Sequence, residues 1–157
     1  MAITLRTLTE SDLDTLFVWE SDPRAVEMAA FTRANPSDRS AFDAHYERIR
    51  NDPACTLLAI DDDAEFVGTV ASFTMEGERE VSYWIAPERW GQGLASRALR
   101  AFLAIEPARP IYGRVAQHNA ASAKVLARAG FVEVASETSF APGVGAEIVE
   151  RIYRLDQ

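Results

Sequence analysis

Apolar residues recur along the chain with two periods, and the change from one period to the other predicts a series of strands and helices. Runs in which apolar and polar residues alternate, or that are apolar throughout, predict seven strands. These strands span residues 3–7, 54–61, 66–75, 79–86, 111–116, 131–136 and 147–155. Apolar residues spaced by three and four predict helices, one after each likely cap or breaker. They begin after Thr9 or Ser11, at residue 24, after Ser37, after the glycine turn at 91–93 and at residue 120.

The order of these elements defines the fold class. The predicted strands from residue 54 to residue 86 are joined by short polar turns, as in a β-meander. Single helices then separate the later strands, which is typical of crossover connections. Gly68 interrupts the third strand and indicates a bulge or a close backbone approach. We therefore expect a mixed sheet of class α+β in one domain, residues 1–157, since no repeat or long linker divides the chain.

A turn containing two glycines links the fourth predicted strand to the next helix. Its sequence is Trp90-Gly91-Gln92-Gly93-Leu94-Ala95. Glycines without Cβ atoms let the backbone curl tightly, so that several N–H groups converge at the start of a helix. Such a helix N-terminus is suited to bind an anion. The turn thus predicts a phosphate-binding site.

Composition and charge exclude several classes of protein. The chain of 157 residues is 48% hydrophobic and 25% charged, and no apolar run approaches the ~18 residues that span a bilayer. A single cysteine, Cys55, permits no internal disulfide, and we expect a cytoplasmic protein without a metal site. The net charge of −8 argues against nucleic-acid binding. Residues 87–131 nevertheless carry +5, which favours a local site for an anionic cofactor in an acidic chain that attracts a cationic substrate.

Two familiar phosphate loops fit the turn poorly. A P-loop requires a lysine followed by serine or threonine after its last glycine, whereas Gly93 is followed by Leu94-Ala95-Ser96. A dinucleotide-binding loop requires an acidic residue at the end of the next strand, and that strand ends in Gln117-His118. The turn also follows a meander instead of opening a parallel sheet. A nucleotide-binding domain stays an alternative, and it predicts tight binding of NAD or ATP.

A second motif lies downstream and gives the turn a context. Its residues are Asn119, Ser122, Val125, Arg128, Gly130 and Phe131. Together with the strand Glu80-Val81-Ser82-Tyr83-Trp84-Ile85 and the glycine turn, it resembles the GNAT superfamily of acetyl-CoA-dependent N-acetyltransferases. The subgroup of ribosomal-protein N-terminal acetyltransferases is the most similar. The resemblance covers essentially the whole chain. It implies a mostly antiparallel central sheet of about seven strands, flanked by helices on both faces and splayed between the fourth and fifth strands.

The resemblance also implies a set of residues that bind acetyl-CoA. The backbone of residues 91–96 would hold the pyrophosphate, and Asn119 would bind the pantetheine arm or simply cap its helix. Trp90 stands where many members of the superfamily carry glutamine or arginine, a departure that the ribosomal subgroup shares. The cofactor-binding residues implied are Ile85, Arg89, Trp90, Gly91, Gln92, Gly93, Leu94, Ala95, Ser96, Asn119 and Ser122.

Two residues are candidates for the chemistry. Glu80 occupies the strand position of a general-base glutamate in some relatives, although a surface carboxylate would fit the pattern as well. Ser122 lies one turn into its helix and is a candidate donor to the departing thiolate, or only a small residue at a helix start. Many relatives carry a tyrosine near this point that acts as the general acid, whereas this chain has Leu126 there. Tyr83, Trp84 and His118 are expected to contact the acceptor.

The resemblance implies direct acetyl transfer to a primary amine in a ternary complex. The amine would belong to a protein N-terminus or to a small cationic molecule, with acetyl-CoA as co-substrate and neither nucleic acid nor membrane as partner. Whether the chain forms a homodimer is left open. The competing hypothesis is a non-catalytic module that binds acyl-CoA as a sensor and acetylates nothing.

Overall fold

The computed structural model describes residues 2–157 and contains seven strands and five α-helices in that range. The strands are β1 (Ile3–Thr7), β2 (Thr56–Asp62), β3 (Glu65–Met75), β4 (Glu78–Ile85), β5 (Ile111–Ala116), β6 (Val132–Ala141) and β7 (Ala146–Leu155). The helices are α1 (Glu10–Ser21), α2 (Pro23–Ala29), α3 (Arg39–Asn51), α4 (Leu94–Leu103) and α5 (Ala120–Arg128). None of the helices in the described residues is long and apolar enough to cross a membrane.

All seven strands join one sheet in the order β1-β2-β3-β4-β5-β7-β6. Every neighbouring pair is antiparallel except β4 and β5, which run parallel. That parallel pairing joins only Arg79 to Ile111 and Glu80 to Tyr112, after which the two strands diverge. The predicted mixed sheet and its splay between the fourth and fifth strands are therefore confirmed.

Helices cover both faces of the sheet, because alternate strand residues are apolar on each side. On one face α4 buries Leu94, Ala98, Leu99 and Phe102 against the strands, together with Leu126 of α5. On the other face the buried residues of α1 and α3 form a second core. Within β4, Tyr83 packs against the first core and Trp84 against the second. Adjacent residues of this strand thus reach opposite sides of the sheet.

Gly68 explains an irregularity between β2 and β3. The register shifts between Ile60 and Asp61, which face Gly68 and Phe66. A Cβ atom on Gly68 would lie 2.1 Å from the carbonyl oxygen of Trp84 on the next strand. The close backbone approach and the bulge predicted at this glycine are both present.

Several predicted boundaries differ from the structure. Asp38 caps α3 in place of Ser37, because its carboxylate accepts the amide of Ala41 at 3.0 Å. The apolar spacing after the glycine turn predicts a helix to about residue 106, whereas α4 ends at Leu103. β6 continues beyond residue 136 because it pairs with β7 along its whole length. Nine of its ten residues are exposed, so its hydrophobic pattern carries little signal.

Candidate active site

The glycine turn forms an uncapped helix N-terminus. Gly91 and Gly93 have φ angles of 80° and 75°, in the left-handed region that only glycine enters at low cost. Gly93 is the N-cap of α4, and no side chain caps the helix there. The first-turn amides of a helix have no partner within the helix. A Cβ built on either glycine would meet nothing within 4 Å, so the turn has room for a bulky anion.

Trp90 ties this turn to the end of β4. Its indole N–H donates to the carbonyl oxygen of Ile85 at 3.0 Å, while 41% of the residue stays exposed. The tryptophan therefore orients the turn against the strand where the sheet splays. It supplies no charge to a phosphate.

Arg89 is held by acidic residues on β2 and at the start of β3. Its guanidinium donates to Asp62 at 2.6 Å, to Glu65, and to the side-chain oxygen of Gln92 at 2.9 Å. The positive charge of residues 87–131 is thus partly neutralised from elsewhere in the chain. α4 and α5 also carry basic side chains that form no ion pair within the described residues. They are Arg97, Arg100, Lys124 and Arg128.

The divergence of β4 and β5 opens a cleft through the sheet. Its volume is about 230 Å³. Side chains from both faces of the sheet line it, including Tyr83, Asn119 and Ser122 from one face and Trp84, Arg114 and Glu150 from the other. The cleft therefore connects the α5 side of the sheet with the side that α1 and α2 cover.

Two hydroxyl groups meet on the α5 side of this cleft. The phenolic oxygen of Tyr83 lies 2.7 Å from Oγ of Ser122. Burial raises the pKa of Tyr83 to about 12, although its hydrogen bond with Ser122 opposes the rise. Asn119 caps α5 by accepting the Ser122 amide at 3.2 Å, so the capping role predicted for it is present.

Glu80 lies at the closed end of the splay and is only 6% exposed. Its carboxylate accepts a hydrogen bond from Arg114 Nε at 3.2 Å. Burial raises the pKa of Glu80, while the charge and the hydrogen bond of Arg114 act in the opposite direction. The same guanidinium also donates to Glu137 at 3.0 Å and to Glu150 at 3.2 Å. Three carboxylates thus share one cation.

Sequence reasoning did not single out Arg114 and Glu150, although both line the cleft. Arg114 is two residues along β5 from Tyr112, the register partner of Glu80, so strand alternation places both on one side. That signal depends on knowing that β4 and β5 are neighbours. No short sequence motif indicates that these two strands are neighbours.

His118 lies outside the cleft, where it holds the end of α2. We define the α2 tethers as three hydrogen bonds that fasten residues 27–30 to neighbouring loops. They run from His118 Nε2 to Glu27 O at 2.7 Å, from Asn119 Nδ2 to Met28 O at 3.4 Å and from Gly143 N to Ala30 O at 2.7 Å. The tethered segment and the residue after it bring Ala29 and Phe31 to the cleft wall.

The splayed mixed sheet, with an uncapped glycine turn at the start of α4 and a cleft between β4 and β5, has the architecture of an acyltransferase that uses a phosphate-bearing donor. Residues 2–132 match the family model described as the acetyltransferase (GNAT) domain. The chain belongs to this family of acetyl-CoA-dependent N-acetyltransferases, whose acetyl donor is acetyl-CoA. No curated protein matches the sequence.

Solved structures share the fold over nearly the whole chain. A spermidine N-acetyltransferase from Vibrio cholerae, solved with CoA and spermine, is 24% identical with a TM-score of 0.77, over 96% of this chain and 94% of that one. RimJ of Mycobacterium smegmatis, in complex with CoA-disulfide, is 21% identical with a TM-score of 0.81, over 98% and 81%. A ribosomal-protein-alanine N-acetyltransferase from Brucella melitensis is 20% identical with a TM-score of 0.75, over 98% and 99%.

Proposed function

We propose that this protein transfers the acetyl group of acetyl-CoA directly to a primary amine, with both substrates bound at once. The observation that carries the proposal is the cleft between β4 and β5, which is lined by side chains from both faces of the sheet. A donor on the α5 face and an amine on the opposite face would meet inside it. No covalent enzyme intermediate is required in this arrangement.

The donor side of the proposal rests on the glycine turn and on α5. The amides of residues 91–96 would bind the pyrophosphate, assisted by the dipole of α4. Asn119 and Ser122 would face the pantetheine arm and its thioester, because both line the cleft from this side. Arg89 would act indirectly, since its guanidinium holds Gln92 and two carboxylates.

The acceptor side is acidic, which favours a cationic amine. Glu80, Glu137 and Glu150 share the single charge of Arg114, so the cluster carries a formal charge of −2 when all are ionised. Trp84, which lines the same side of the cleft, would contact the acceptor. Neighbours with this fold bind spermine or are named for ribosomal-protein alanine acetylation. A polyamine and a protein N-terminus are therefore the two acceptor classes that we propose.

The amine must be neutral to attack the thioester. Deprotonation at pH 7 costs about 4.6 kcal/mol for an amine of pKa ~10.4 and about 1 kcal/mol for an α-amine of pKa ~7.8. We propose Glu80 as the general base. Because Glu80 is not among the residues that line the cleft, the proton would reach it through a water molecule.

Release of free thiol from acetyl-CoA, measured against a panel of peptides and polyamines, tests this function. Turnover with at least one amine is expected, and the acetylated product should appear in equal amount by mass spectrometry. Binding of acetyl-CoA without thiol release for any amine would support the sensor hypothesis instead. Tighter binding of NAD or ATP than of CoA would support a nucleotide-binding domain.

The oligomeric state stays a prediction. β6 forms one edge of the sheet, and Val132 and Phe140 on it are 66% and 59% exposed. A homodimer would use this edge, because an unpaired strand presents backbone groups that a second copy can pair. Analytical ultracentrifugation would distinguish a monomer from a dimer.

A further inference from the structure

Glu150 on β7 is the carboxylate that borders the cleft directly. Among the described residues that line the cleft, Glu150 alone carries a carboxylate. Glu80 is buried outside the lining, and Glu137 lies on the edge strand with 59% of its side chain exposed. The three carboxylates that share Arg114 thus differ in position. One of them lines the space that an acceptor would occupy.

One oxygen atom of Glu150 is left for a ligand. Arg114 donates to Oε1 at 3.2 Å, whereas Oε2 accepts no hydrogen bond from residues 2–157 and is reached by solvent. Arg114 compensates the charge of Glu150 only in part, because the same guanidinium also pairs with Glu80 and Glu137. Glu150 therefore offers the cleft an accessible oxygen and an excess of negative charge.

Aromatic side chains border the cleft on the same side of the sheet. Glu150 is the register partner of Ala116 on β5, and Phe31 packs against the core cluster that contains Ala116. Phe31 and Trp84 both line the cleft. A single carboxylate in a cleft with aromatic walls suits an alkyl chain that carries a cation.

The nitrogen that is acetylated is a poor partner for this carboxylate. It must be neutral to attack the thioester, and a negative charge close by favours its protonated form. Asn119 and Ser122, which would face the thioester, line the cleft from the opposite face of the sheet. Glu150 therefore fits a nitrogen that keeps its positive charge throughout the transfer.

We propose that Glu150 binds a second cationic nitrogen of the acceptor, separated by an alkyl spacer from the amine that is acetylated. The inference rests on the proposed function and deepens it, because it gives the acceptor class as amines with a second positive charge. A diamine or polyamine has this chemistry, and so does a peptide with lysine after its first residue. Glu150 determines specificity in this scheme and does not touch the reacting atoms.

Two acceptors that differ in one nitrogen test the inference. Butane-1,4-diamine and pentylamine have chains of equal length, and only the diamine carries a second charge. Glu150→Gln should lower kcat/KM for the diamine about 10- to 100-fold, as for the loss of one hydrogen bond between charged groups. The loss should appear in KM, with kcat within about threefold, because the contact is the same before and during the reaction. For pentylamine, kcat/KM should change by less than about twofold.

Two further variants separate this contact from a general effect of charge or structure. Glu147→Gln is the matched control, since Glu147 is exposed on the same strand and does not line the cleft. It makes the same change in net charge and should leave the preference for the diamine intact. Glu150→Asp withdraws the carboxylate by one methylene, so the preferred acceptor should become pentane-1,5-diamine. Thermal unfolding of each variant verifies that it folds.

Peptide acceptors distinguish the two sources of the second charge. Alanyl-lysine amide and alanyl-norleucine amide form the corresponding pair. Glu150→Gln should act on the diamine if the acceptor is a polyamine, and on the lysine peptide if it is a protein N-terminus. Equal losses for the charged and uncharged member of both pairs would overturn the inference, and so would a large fall in kcat with pentylamine.

Failure of the proposed function has a different signature. In that case the wild type acetylates no amine, and calorimetry of butane-1,4-diamine with the CoA-saturated protein replaces the kinetics. A Kd that rises at least ~10-fold in Glu150→Gln and stays constant in Glu147→Gln would still support the second-cation contact. Equal Kd values in the wild type and Glu150→Gln would overturn it.

Discussion

Glu80 illustrates how one residue's chemistry depends on a single neighbour. Its carboxylate is buried, which raises its pKa, and Arg114 counteracts this by favouring the ionised form. A general base is active only when deprotonated, so activity should rise with pH through the pKa of Glu80. That midpoint should lie above the ordinary glutamate value of 4.5.

Two substitutions test this assignment. Glu80→Gln should lower kcat about 100-fold on the best amine, as for the loss of a general base. Arg114→Gln removes the charge that favours ionised Glu80, so the acidic limb of kcat against pH should move to higher pH. Arg151→Gln on β7, whose partner Glu133 is 3.9 Å away, is a control that should leave the limb in place. Unchanged kcat in Glu80→Gln would show that another group is the base.

Gly93 is the residue on which the donor site depends most directly. Gly93→Val places a side chain where the pyrophosphate would approach and also strains a backbone at φ 75°. We expect the Kd for CoA, measured by calorimetry, to rise at least ~10-fold, or about 1.4 kcal/mol. Gly77→Val is a matched control, because Gly77 has φ 82° with open space around it in the turn between β3 and β4. Equal weakening by both variants would point to backbone strain alone.

The sequence reveals some of these residues and conceals others. The glycine turn and the Asn119 cap are visible because local backbone geometry demands particular residue types at fixed spacing. The contacts of Arg114 and the approach of Tyr83 to Ser122 join residues 34 and 39 positions apart. They depend on how far β4 and β5 diverge. Local patterns do not encode that distance.

At the scale of elements, alternation and capping predicted all seven strands and all five α-helices of the described residues, and the errors lie at their ends. β6 is the clearest case, since nine of its ten residues are exposed and no buried face marks its length. Its extent is set by pairing with β7, a tertiary effect. By contrast, α4 has a full apolar face and a glycine at its start, so its beginning at Leu94 is fixed locally.

The loop between β6 and β7 sets the position of α2. A Cβ on Gly143 would lie 2.3 Å from the carbonyl oxygen of Val26 and 2.9 Å from that of Ala30. Gly143→Ala should therefore lower the free energy of unfolding by about 1–3 kcal/mol in urea titrations. It should also raise the KM for the amine, because displacing α2 moves Ala29 on the cleft wall, and leave the Kd for CoA unchanged.

Gly145→Ala is the control that distinguishes the steric clash expected in Gly143→Ala from an effect of backbone strain. Gly145 has φ 78° and nothing within 4 Å of an added Cβ, so the variant should lose ~1–2 kcal/mol through strain alone. The KM for the amine should stay at the wild-type value. If both variants changed that KM equally, the position of α2 would not govern the acceptor side.

At the scale of the whole molecule, the net charge of −8 should speed the association with a cationic substrate. A polycationic amine is attracted over distances that salt shortens. We expect kcat/KM for a triamine to fall about 10-fold between low salt and ~0.5 M NaCl, and that for a monoamine to fall less. End-point assays of thiol release at constant pH would measure kcat/KM for both amines. Equal salt dependence for the two amines would argue against long-range attraction.

The α2 tethers determine which changes of sequence the segment around α2 can accept. All three bonds end on backbone carbonyls of residues 27–30, next to the proposed acceptor side, and two of them are donated by side chains of the β5–α5 loop. Another sequence in residues 23–30, which form α2 and the residue after it, can keep these bonds, because carbonyl groups are common to all residues. A chimera that exchanges this segment should thus acquire a new amine preference while its affinity for CoA stays intact.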